Sequence, residues 1–307
     1  MSLEAAPLDM NTQVPAKQPD SPWRIAIRRF TRNRLAVIGL FILVIMALFC
    51  IFGPMISPYE LEQYDVKNKN ASPSADHWLG TDKLGRDVLL RLMLAGRISL
   101  TVGLVATGIS LIIGGTLGAL AGFYRKFTDT IIMRAADIFM SLPSLPILII
   151  LGAILSDLKV DPKDRIYFLM LILGILGWTT IARLVRGQIL TLREQEFMQA
   201  TEALGLRDRR KIFRHLMPNT VPIIIVTATL GVASAIISES ALSFLGVGVI
   251  PPTPSWGNMI SSANSLIDFR ERPWLWIPPG LCILITVVAI NLIGDGLRDA
   301  LDPKMKK

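Results

Sequence analysis

Residues 35–56 form a run of 22 residues that contains no charged side chain. A helix needs about 20 apolar residues to cross the hydrocarbon core of a bilayer. A secretory signal peptide has a shorter apolar region of about 7–15 residues, followed by a small-residue cleavage site. Here the run is longer, and Gly53-Pro54 stands where such a site would be. The run therefore predicts a retained transmembrane helix.

Five further apolar segments follow the first, and 51% of all residues are hydrophobic. Only 18% are charged, against about 25% in an average soluble domain. The second segment is rich in glycine, which allows helices to approach closely in lipid, and Pro143 and Pro146 predict a kink in the third. The sequence thus predicts an all-α polytopic membrane helix bundle. Its six transmembrane helices lie at 35–56, 98–124, 131–155, 166–181, 220–249 and 276–293.

The distribution of basic residues predicts the orientation of this bundle. Six spans place both termini on one side, and 21 of the 32 Lys and Arg residues lie on that side. The acidic residues outside the spans divide equally, 11 and 11. The positive-inside rule therefore predicts that the N- and C-termini are cytoplasmic. The net charge of +8 is then a signal of topology and does not indicate a nucleic-acid partner.

These spans divide the chain into four predicted regions. A basic cytoplasmic N-terminal tail with little fixed structure covers 1–34, because the segment is polar and includes Pro15, Pro19 and Pro22. The first transmembrane helix and an extracytoplasmic loop cover 35–97. A five-helix core covers 98–303 and includes a long basic cytoplasmic loop at 187–218, and a short cytoplasmic tail covers 304–307.

The motifs of most enzyme classes are missing from the sequence. It contains no GxxxxGK[ST] phosphate loop, no HExxH and no CxxC. The Gly294-Asp295-Gly296 sequence lacks the flanking glycine of an intramembrane aspartyl protease, since Leu292 occupies that position. An intramembrane protease is therefore disfavoured, and so is a secondary transporter, because the chain shows no internal repeat. We predict that the chain is not an enzyme and binds no cofactor or metal itself.

The loop at 187–218 predicts two short helices. Phe197, Ala200, Thr201 and Leu204 have the spacing of one helical face. Gly205 is a natural helix terminator, Asp208 is expected to cap the next helix, and Pro218 is expected to break it. On this pattern alone, the loop is either a solvated interfacial amphipathic segment or a docking element for a partner.

Two carboxylates, Asp137 and Glu239, fall inside the predicted spans. Charged residues are costly there and often functional. Asp137 lies one turn from Arg134, so pairing with that arginine is the simpler interpretation. Glu239 lies deeper, between two serines, and is a candidate pore-lining or gating residue. The predicted pore and substrate residues are Glu239, Ser243 and Asp137.

Four sequence blocks resemble one family of membrane proteins. FMQATEALG at 197–205 and RHLMPN at 214–219 resemble the EAA loop of ABC-importer permeases. HWLGTDKLGRDV at 77–88 with GRISL at 96–100, ESALSFLGVGV at 239–249 with PPTPSWG at 251–257, and GDGLRDALDP at 294–303 resemble C-type subunits of oligopeptide and dipeptide permeases. The departures from the EAA pattern are Gln199, Thr201, His215 and Met217. Nickel permeases share much of this pattern.

The resemblance implies a type I ABC-importer permease fold in the bacterial cell (inner) membrane, in contact with lipid. It implies that the chain forms half of a peptide pore with a homologous second permease subunit. Two cytoplasmic ABC ATPases that hydrolyse ATP with Mg would drive the pore, and an extracytoplasmic binding protein would deliver the peptide; nickel or another small solute is the alternative. The implied ATPase-coupling residues are Phe197, Gln199, Ala200, Thr201, Glu202, Ala203, Leu204, Gly205 and Pro218.

The extracytoplasmic block at 77–97 has two interpretations. Residues 88–94 have the pattern of an interfacial amphipathic helix, and Gly80, Gly85 and Asp87 fit turns and a helix cap. The block is expected to brace the first two spans; contact with the binding protein is the alternative. Trp256, Trp274 and Trp276 are expected at the membrane boundary, where aromatic belts lie.

Overall fold

The computed structural model describes residues 22–301, and this part of the chain is almost entirely helical with no β-strand. Five helical segments are long and apolar enough to cross a membrane, and a sixth crossing results if one bent helix pair is a single span. This confirms the predicted all-α membrane bundle. The helices are α1 Pro22–Arg32, α2 Arg34–Ile56, α3 Val88–Tyr124, α4 Lys126–Ser141, α5 Ser144–Asp157, α6 Pro162–Arg193, α7 Glu196–Ala203, α8 Asp208–Arg210, a π-helical turn Lys211–Leu216, α9 Met217–Phe244, α10 Trp256–Ile260, α11 Leu266–Glu271 and α12 Ile277–Leu301, with 3₁₀ turns at Ser261–Asn264 and Pro273–Leu275.

The bent pair is α4 and α5, which meet at an angle of 82°. The expected proline kink is thus a complete break between Ser141 and Ser144. Asp129, near the start of α4, pairs with Arg186 near the end of α6. Ser156, at the end of α5, accepts a hydrogen bond of 2.8 Å from Arg165 near the start of α6. The α4–α5 pair therefore extends antiparallel to α6 from one end of that helix to the other. This favours a single broken span, and thus six crossings in all.

The two described chain ends lie at the same end of the bundle. Helix α1 packs against α12, and the side chain of Asn33, the N-cap of α2, lies 3.5 Å from Asp299 near the end of α12. A helix therefore occupies residues 22–32, where the sequence predicted a tail with little fixed structure. That helix forms because its apolar face packs on α12. The rest of the predicted N-terminal tail, 1–21, and the tail at 304–307 lie outside the described residues.

The central contact of the bundle joins α3 to α6. Gly114, Gly118 and Gly122 recur every four residues along α3 and face α6 directly. A Cβ atom placed on Gly118 would lie 2.4 Å from the carbonyl oxygen of Ala182 and 2.9 Å from its Cα. The two helix backbones therefore touch along this glycine stripe, which is the small-residue packing that membrane helices use.

Helix α3 begins earlier than predicted. Its 37 residues start at Val88, with Asp87 as N-cap accepting a 2.7 Å hydrogen bond from the Leu90 amide. The expected separate interfacial helix at 88–94 is therefore the first two turns of α3. It is not interfacial because most of those turns are buried: Leu92 and Met93 are about as buried as the centre of the bundle.

Candidate functional site

Helix α7 lies at the end of the bundle that also carries α1 and the end of α12; we call this the α7 end. One face of α7 is attached to the bundle. Met198 is 1% exposed and packs into a cluster with Phe123 of α3, Ile189 of α6 and Leu216 of the π turn. Thr201 is also buried, and its hydroxyl donates to the Met198 carbonyl at 2.7 Å. Helix α7 is thus fixed to three other helical elements.

The opposite face of α7 is open. Leu204 is 76% exposed, Phe197 is half-buried, and the remaining predicted coupling residues on this helix are exposed: Gln199, Ala200, Glu202, Ala203 and Gly205. The predicted face of Phe197, Ala200, Thr201 and Leu204 is therefore divided, since Thr201 points inward and Ala200 and Leu204 point outward. Met198, the inward anchor, was not predicted from the sequence; its three-residue spacing to Thr201 was the available signal.

Gly205 ends α7 in the left-handed region, with φ +65°. Its amide donates to the Glu202 carbonyl at 2.9 Å, and the next amide, of Leu206, donates to the Thr201 carbonyl at 3.2 Å. These two bonds form the glycine-terminated C-cap expected from the sequence. A Cβ at this position would contact nothing within 4 Å, so the backbone angle alone demands glycine.

The second half of the loop differs from the predicted pattern. Asp208 does not cap a helix; it lies inside α8 and pairs with Lys211 at 3.5 Å, while Arg207 occupies the cap position. Pro218 does not break the helix either, because the chain is helical from Asp208 to Phe244. A π turn at Lys211–Leu216 directly precedes it. The wider turn tolerates a residue without an amide hydrogen, and such turns are frequent at functional sites.

A basic depression adjoins α7 at this end. It encloses about 490 Å³, and Phe213 and Pro218 line it together with arginines. Phe213 is 51% exposed, whereas Ile212 and Leu216 of the same turn are buried. The π turn rotates these side chains relative to an α-helix, which explains the difference. The arginines of the depression are Arg207, Arg209, Arg210 and Arg214.

Asp137 is half-exposed and forms an ion pair. Its main partner is Arg183 of α6, at 2.5 Å. The expected partner, Arg134, lies at 4.0 Å. The carboxylate therefore joins α4 to α6 close to the α7 end.

Glu239 lies fully buried inside the opposite half of the bundle. Its carboxylate accepts hydrogen bonds from Ser99 of α3 at 2.9 Å and from Ser243 at 2.7 Å. The same two hydroxyls accept backbone amides of the segment after α9: Trp256 donates to Ser99 at 3.3 Å and Val249 to Ser243 at 2.9 Å. Glu239 and Ser243 thus form a buried network that ties α9 to α3 and to α10. Neither residue is among those that line the groove between α3, α5, α6 and α9.

Trp256 belongs to the same region and is completely buried. Its indole nitrogen donates to the Leu92 carbonyl at 3.1 Å. Trp256 is therefore not part of an exposed aromatic belt, because the glycine- and proline-rich segment that precedes it folds back onto α3 and α9. Trp276 remains partly exposed and stacks on Phe269 at 4.9 Å.

A groove of about 610 Å³ opens between α3, α5, α6 and α9. No charged residue lines it, and its polar lining consists of hydroxyl groups among small and aliphatic residues. The groove was not predicted from the sequence, although its α9 residues recur on one helical face. The hydroxyl residues are Thr107, Ser110, Ser144, Thr180, Thr227, Ser234 and Ser238.

The block at 77–97 is compact and lies at the α10 end, opposite α7. His77 bonds Asp87 at 2.9 Å and stacks on Tyr59. Lys83 pairs with Asp268 at 2.7 Å, which connects the block to α11. Burial would raise the pKa of Asp268, but hydrogen bonds and charges from Lys83 and Arg272 outweigh it and lower that pKa. The block therefore joins the start of α3 to α11. The predicted bracing of the first two spans is represented by Arg97, which donates to the Cys50 carbonyl of α2 at 2.8 Å.

Comparison with known proteins places this architecture in a family. The family model described as "Binding-protein-dependent transport system inner membrane component" matches residues 114–307. A second family model, described as "N-terminal TM domain of oligopeptide transport permease C", matches residues 21–73. Among similar proteins, the oligopeptide transport system permease protein OppC of Bacillus subtilis is 42% identical over 95% of this chain and 93% of its own length. The dipeptide transport system permease protein DppC of Alkalihalophilus pseudofirmus is 41% identical, over 93% and 91%.

A glutathione transport system permease protein, GsiD of Pectobacterium atrosepticum, is 39% identical over 94% of both chains. Members of the family are non-catalytic membrane subunits that work in a transport complex, so the predictions of a non-enzymatic and multi-pass inner-membrane protein are confirmed. The chain belongs to the binding-protein-dependent transport system inner-membrane components, and within them to the C-type ABC permeases that the four sequence blocks resemble.

Proposed function

We propose that this chain forms one half of the translocation pore of an ATP-driven peptide importer and that α7 is its coupling helix. A homologous permease subunit would supply the other half of the pore, two cytoplasmic ATPases would bind and hydrolyse ATP with Mg, and an extracytoplasmic binding protein would deliver the peptide. The relatives named for oligopeptide, dipeptide and glutathione transport support peptides over nickel as the substrate.

The construction of α7 is the observation on which this proposal depends. Its inner face is packed against α3, α6 and the start of the continuous helix that leads into α9. Its outer face, with Ala200 and Leu204, is open to a partner. An amphipathic helix in a groove is a common mode of recognition. When the ATPase pair moves a helix docked in this way, the movement passes directly into the helices that line the groove.

The charge distribution supports a cytoplasmic position for the α7 end. Eight basic residues lie between residues 182 and 218 alone. The positive-inside rule assigns such loops to the cytoplasm. The described ends of the chain, near α1 and the end of α12, would then also be cytoplasmic, and the α10 end would be extracytoplasmic.

The groove between α3, α5, α6 and α9 is the proposed peptide path. Its lining is uncharged, and hydroxyl oxygens such as those of Thr227 and Ser234 donate back to their own helix at 2.9 and 3.2 Å. They keep acceptor capacity for peptide amides. A neutral lining neither attracts nor repels particular charged side chains, which suits peptides of varied sequence.

Glu239 has a structural role in this proposal. Replacing Glu239 by glutamine is expected to lower the melting temperature of the complex by several degrees, because one carboxylate oxygen becomes an amide donor that faces a serine hydroxyl. A buried polar group left without a hydrogen-bond partner costs about 1–3 kcal/mol. Peptide preference is expected to stay unchanged, since the side chain does not line the groove. Competition among labelled peptides, measured beside thermal unfolding, checks both; altered preference at normal stability would restore a role in substrate contact.

Uptake by the reconstituted complex tests the function itself. Vesicles containing both permease subunits and both ATPases are supplied with the binding protein, labelled peptides of several lengths and, separately, nickel. We expect ATP-dependent accumulation of peptide that excess unlabelled peptide inhibits and nickel does not. Nickel accumulation that peptides fail to inhibit would contradict the proposed substrate. Uptake without the ATPases would contradict the proposed class of transporter.

A further inference from the structure

A small pocket at the α10 end is separate from the groove. It encloses about 240 Å³ between the start of α3, the segment after α9 and α10. Lys83 and Pro251 are exposed at its edge, whereas Arg91 is only 6% exposed. This pocket and the groove have no lining residue in common. It is therefore a distinct site that opens at the surface of this end.

The charges around the pocket are unevenly paired. Arg86 binds Asp82 through two nitrogens, at 2.8 and 2.7 Å. The other Asp82 oxygen accepts the backbone amides of Leu84 and Arg86, at 2.8 and 3.0 Å. The carboxylate of Asp82 is thus already fully used. The other nearby acid, Asp268, is held by Lys83 at 2.7 Å and by Arg272 at 2.5 Å.

Arg91 is the most weakly paired of the cations that line the pocket. Its closest approach to an acid is 3.5 Å, from its Nε to Asp82. Its Nη1 is buried and, within residues 22–301, has no hydrogen-bond partner. Burying a charge without a partner is costly, and an arginine presents several donors in a rigid plane that matches a carboxylate. Arg91 lines the pocket, so the pocket contains a weakly paired guanidinium that retains donor capacity for an anion.

The other polar groups of the lining are already engaged. The amide nitrogen of Asn258 donates to the Val249 and Thr253 carbonyls. The hydroxyls of Ser261 and Ser262 donate to the Asn258 and Met259 carbonyls, at 2.7 and 2.9 Å. These groups offer few donors to an extended peptide backbone. The pocket suits a single carboxylate that enters from the surface and binds Arg91.

We propose that this pocket binds one aspartate or glutamate side chain of the extracytoplasmic protein that delivers the solute. The inference rests on the proposed function, which places the α10 end outside the cell. The position of the pocket away from the groove favours a side chain of the docked protein over the carboxylate of the transported peptide. Charge-assisted pairs to arginine are strong when desolvated, so Arg91 would hold the docked protein in register.

Replacing Arg91 by methionine in the full transport complex tests the proposal. The affinity of the binding protein for the complex in nanodiscs is expected to fall at least about tenfold, because truncating one partner of a buried charge pair is expensive. Arg270→Gln removes a positive charge from an exposed position at the same end, outside the pocket, and is expected to change affinity less than about twofold. Arg91→Lys is expected to restore part of the lost affinity.

Thermal unfolding of the complex without binding protein separates binding from structure. The melting temperature of the Arg91→Met complex is expected to stay level or rise, because a buried and only weakly paired charge is removed. Replacing each acidic residue of the binding protein by its amide is expected to identify one variant that weakens binding to the wild-type complex but not to the Arg91→Met complex.

Several outcomes would overturn the proposal. The first is unchanged affinity of the Arg91→Met complex for the binding protein. The second is a loss of this affinity that occurs only together with a lower melting temperature. The third is normal affinity of the Arg91→Met complex combined with poorer uptake of free-acid peptides than of amidated ones. In each case the wild-type complex must take up peptide in the same preparation. Failure of the wild-type complex to do so would count against the proposed function, and not against the pocket.

Discussion

Replacing Gly118 by leucine is expected to leave almost no correctly folded protein in the membrane. Any side chain there would begin 2.4 Å from the Ala182 carbonyl oxygen and 2.9 Å from its Cα. These atoms belong to the backbone of α6 and cannot move aside as a flexible side chain does. Overpacking against movable side chains already costs about 1–3 kcal/mol, so forcing α3 and α6 apart is expected to cost more and to open the central contact of the bundle.

Gly108→Leu is the matched control, since Gly108 lies on the same helix and its added Cβ would contact nothing within 4 Å. Both variants are fused to a fluorescent reporter and compared by size-exclusion chromatography in detergent. We expect a single sharp peak for Gly108→Leu and aggregated or degraded material for Gly118→Leu. Similar peaks for the two variants would show that α3 and α6 do not touch through their backbones.

Replacing Ala200 by tryptophan is expected to abolish most peptide uptake while the permease still folds. Ala200 is exposed on the outer face of α7, so a large side chain disturbs no core contact. It would instead occupy the space that a docked ATPase needs. We expect uptake to fall at least about tenfold, which corresponds to about 1.4 kcal/mol of lost coupling free energy. ATP hydrolysis is expected to continue without stimulation by the loaded binding protein.

Ala200→Ser is the control for this variant because it preserves the size of the side chain, and it is expected to transport normally. Uptake of labelled peptide and phosphate release are measured on the same vesicles. Normal uptake and normal stimulation in the Ala200→Trp complex would remove α7 as the coupling helix.

A substitution in the turn after α7 is an independent test, and it too is expected to abolish most peptide uptake. Proline at position 205 requires φ near −65°, whereas Gly205 has φ +65° and donates its amide to Glu202. Gly205→Pro therefore changes the angle between α7 and the following helix. Gly205→Ala keeps the amide and meets open space, so it is expected to cost only about 1–2 kcal/mol from the left-handed backbone and to retain most of the uptake.

The loop at 187–218 shows what a sequence pattern can and cannot predict. The pattern correctly predicted a helix ending at Gly205, because a terminal glycine acts locally through its own backbone angle. It could not divide the face of α7, because the inward direction depends on Phe123, Ile189 and Leu216 of other elements. The π turn before Pro218 was equally invisible, since its register is set by the packing of Ile212 and Leu216.

Glu239 illustrates the same limit for a single residue. Its position in an apolar segment correctly indicated an unusual acid, because a charge there is costly. Whether it faces a cavity or the interior depends on Ser99, 140 positions away, and on the segment that brings Trp256 over it. Arg91 is comparable, because only the folded loops show that Asp82 is already bound by Arg86.

The sequence by itself determined that this chain is a bundle of membrane helices, how many apolar segments it has and which family it joins. Those properties follow from segment length and composition, since a bilayer demands about 20 apolar residues with internally satisfied backbone groups in each span. Only the packed structure shows which face of α7 is free, that Glu239 is enclosed and that the carboxylate 3.5 Å from Arg91 is already bound by Arg86. Each of these depends on contacts between residues far apart in the chain, and short-range spacing carries no information about them.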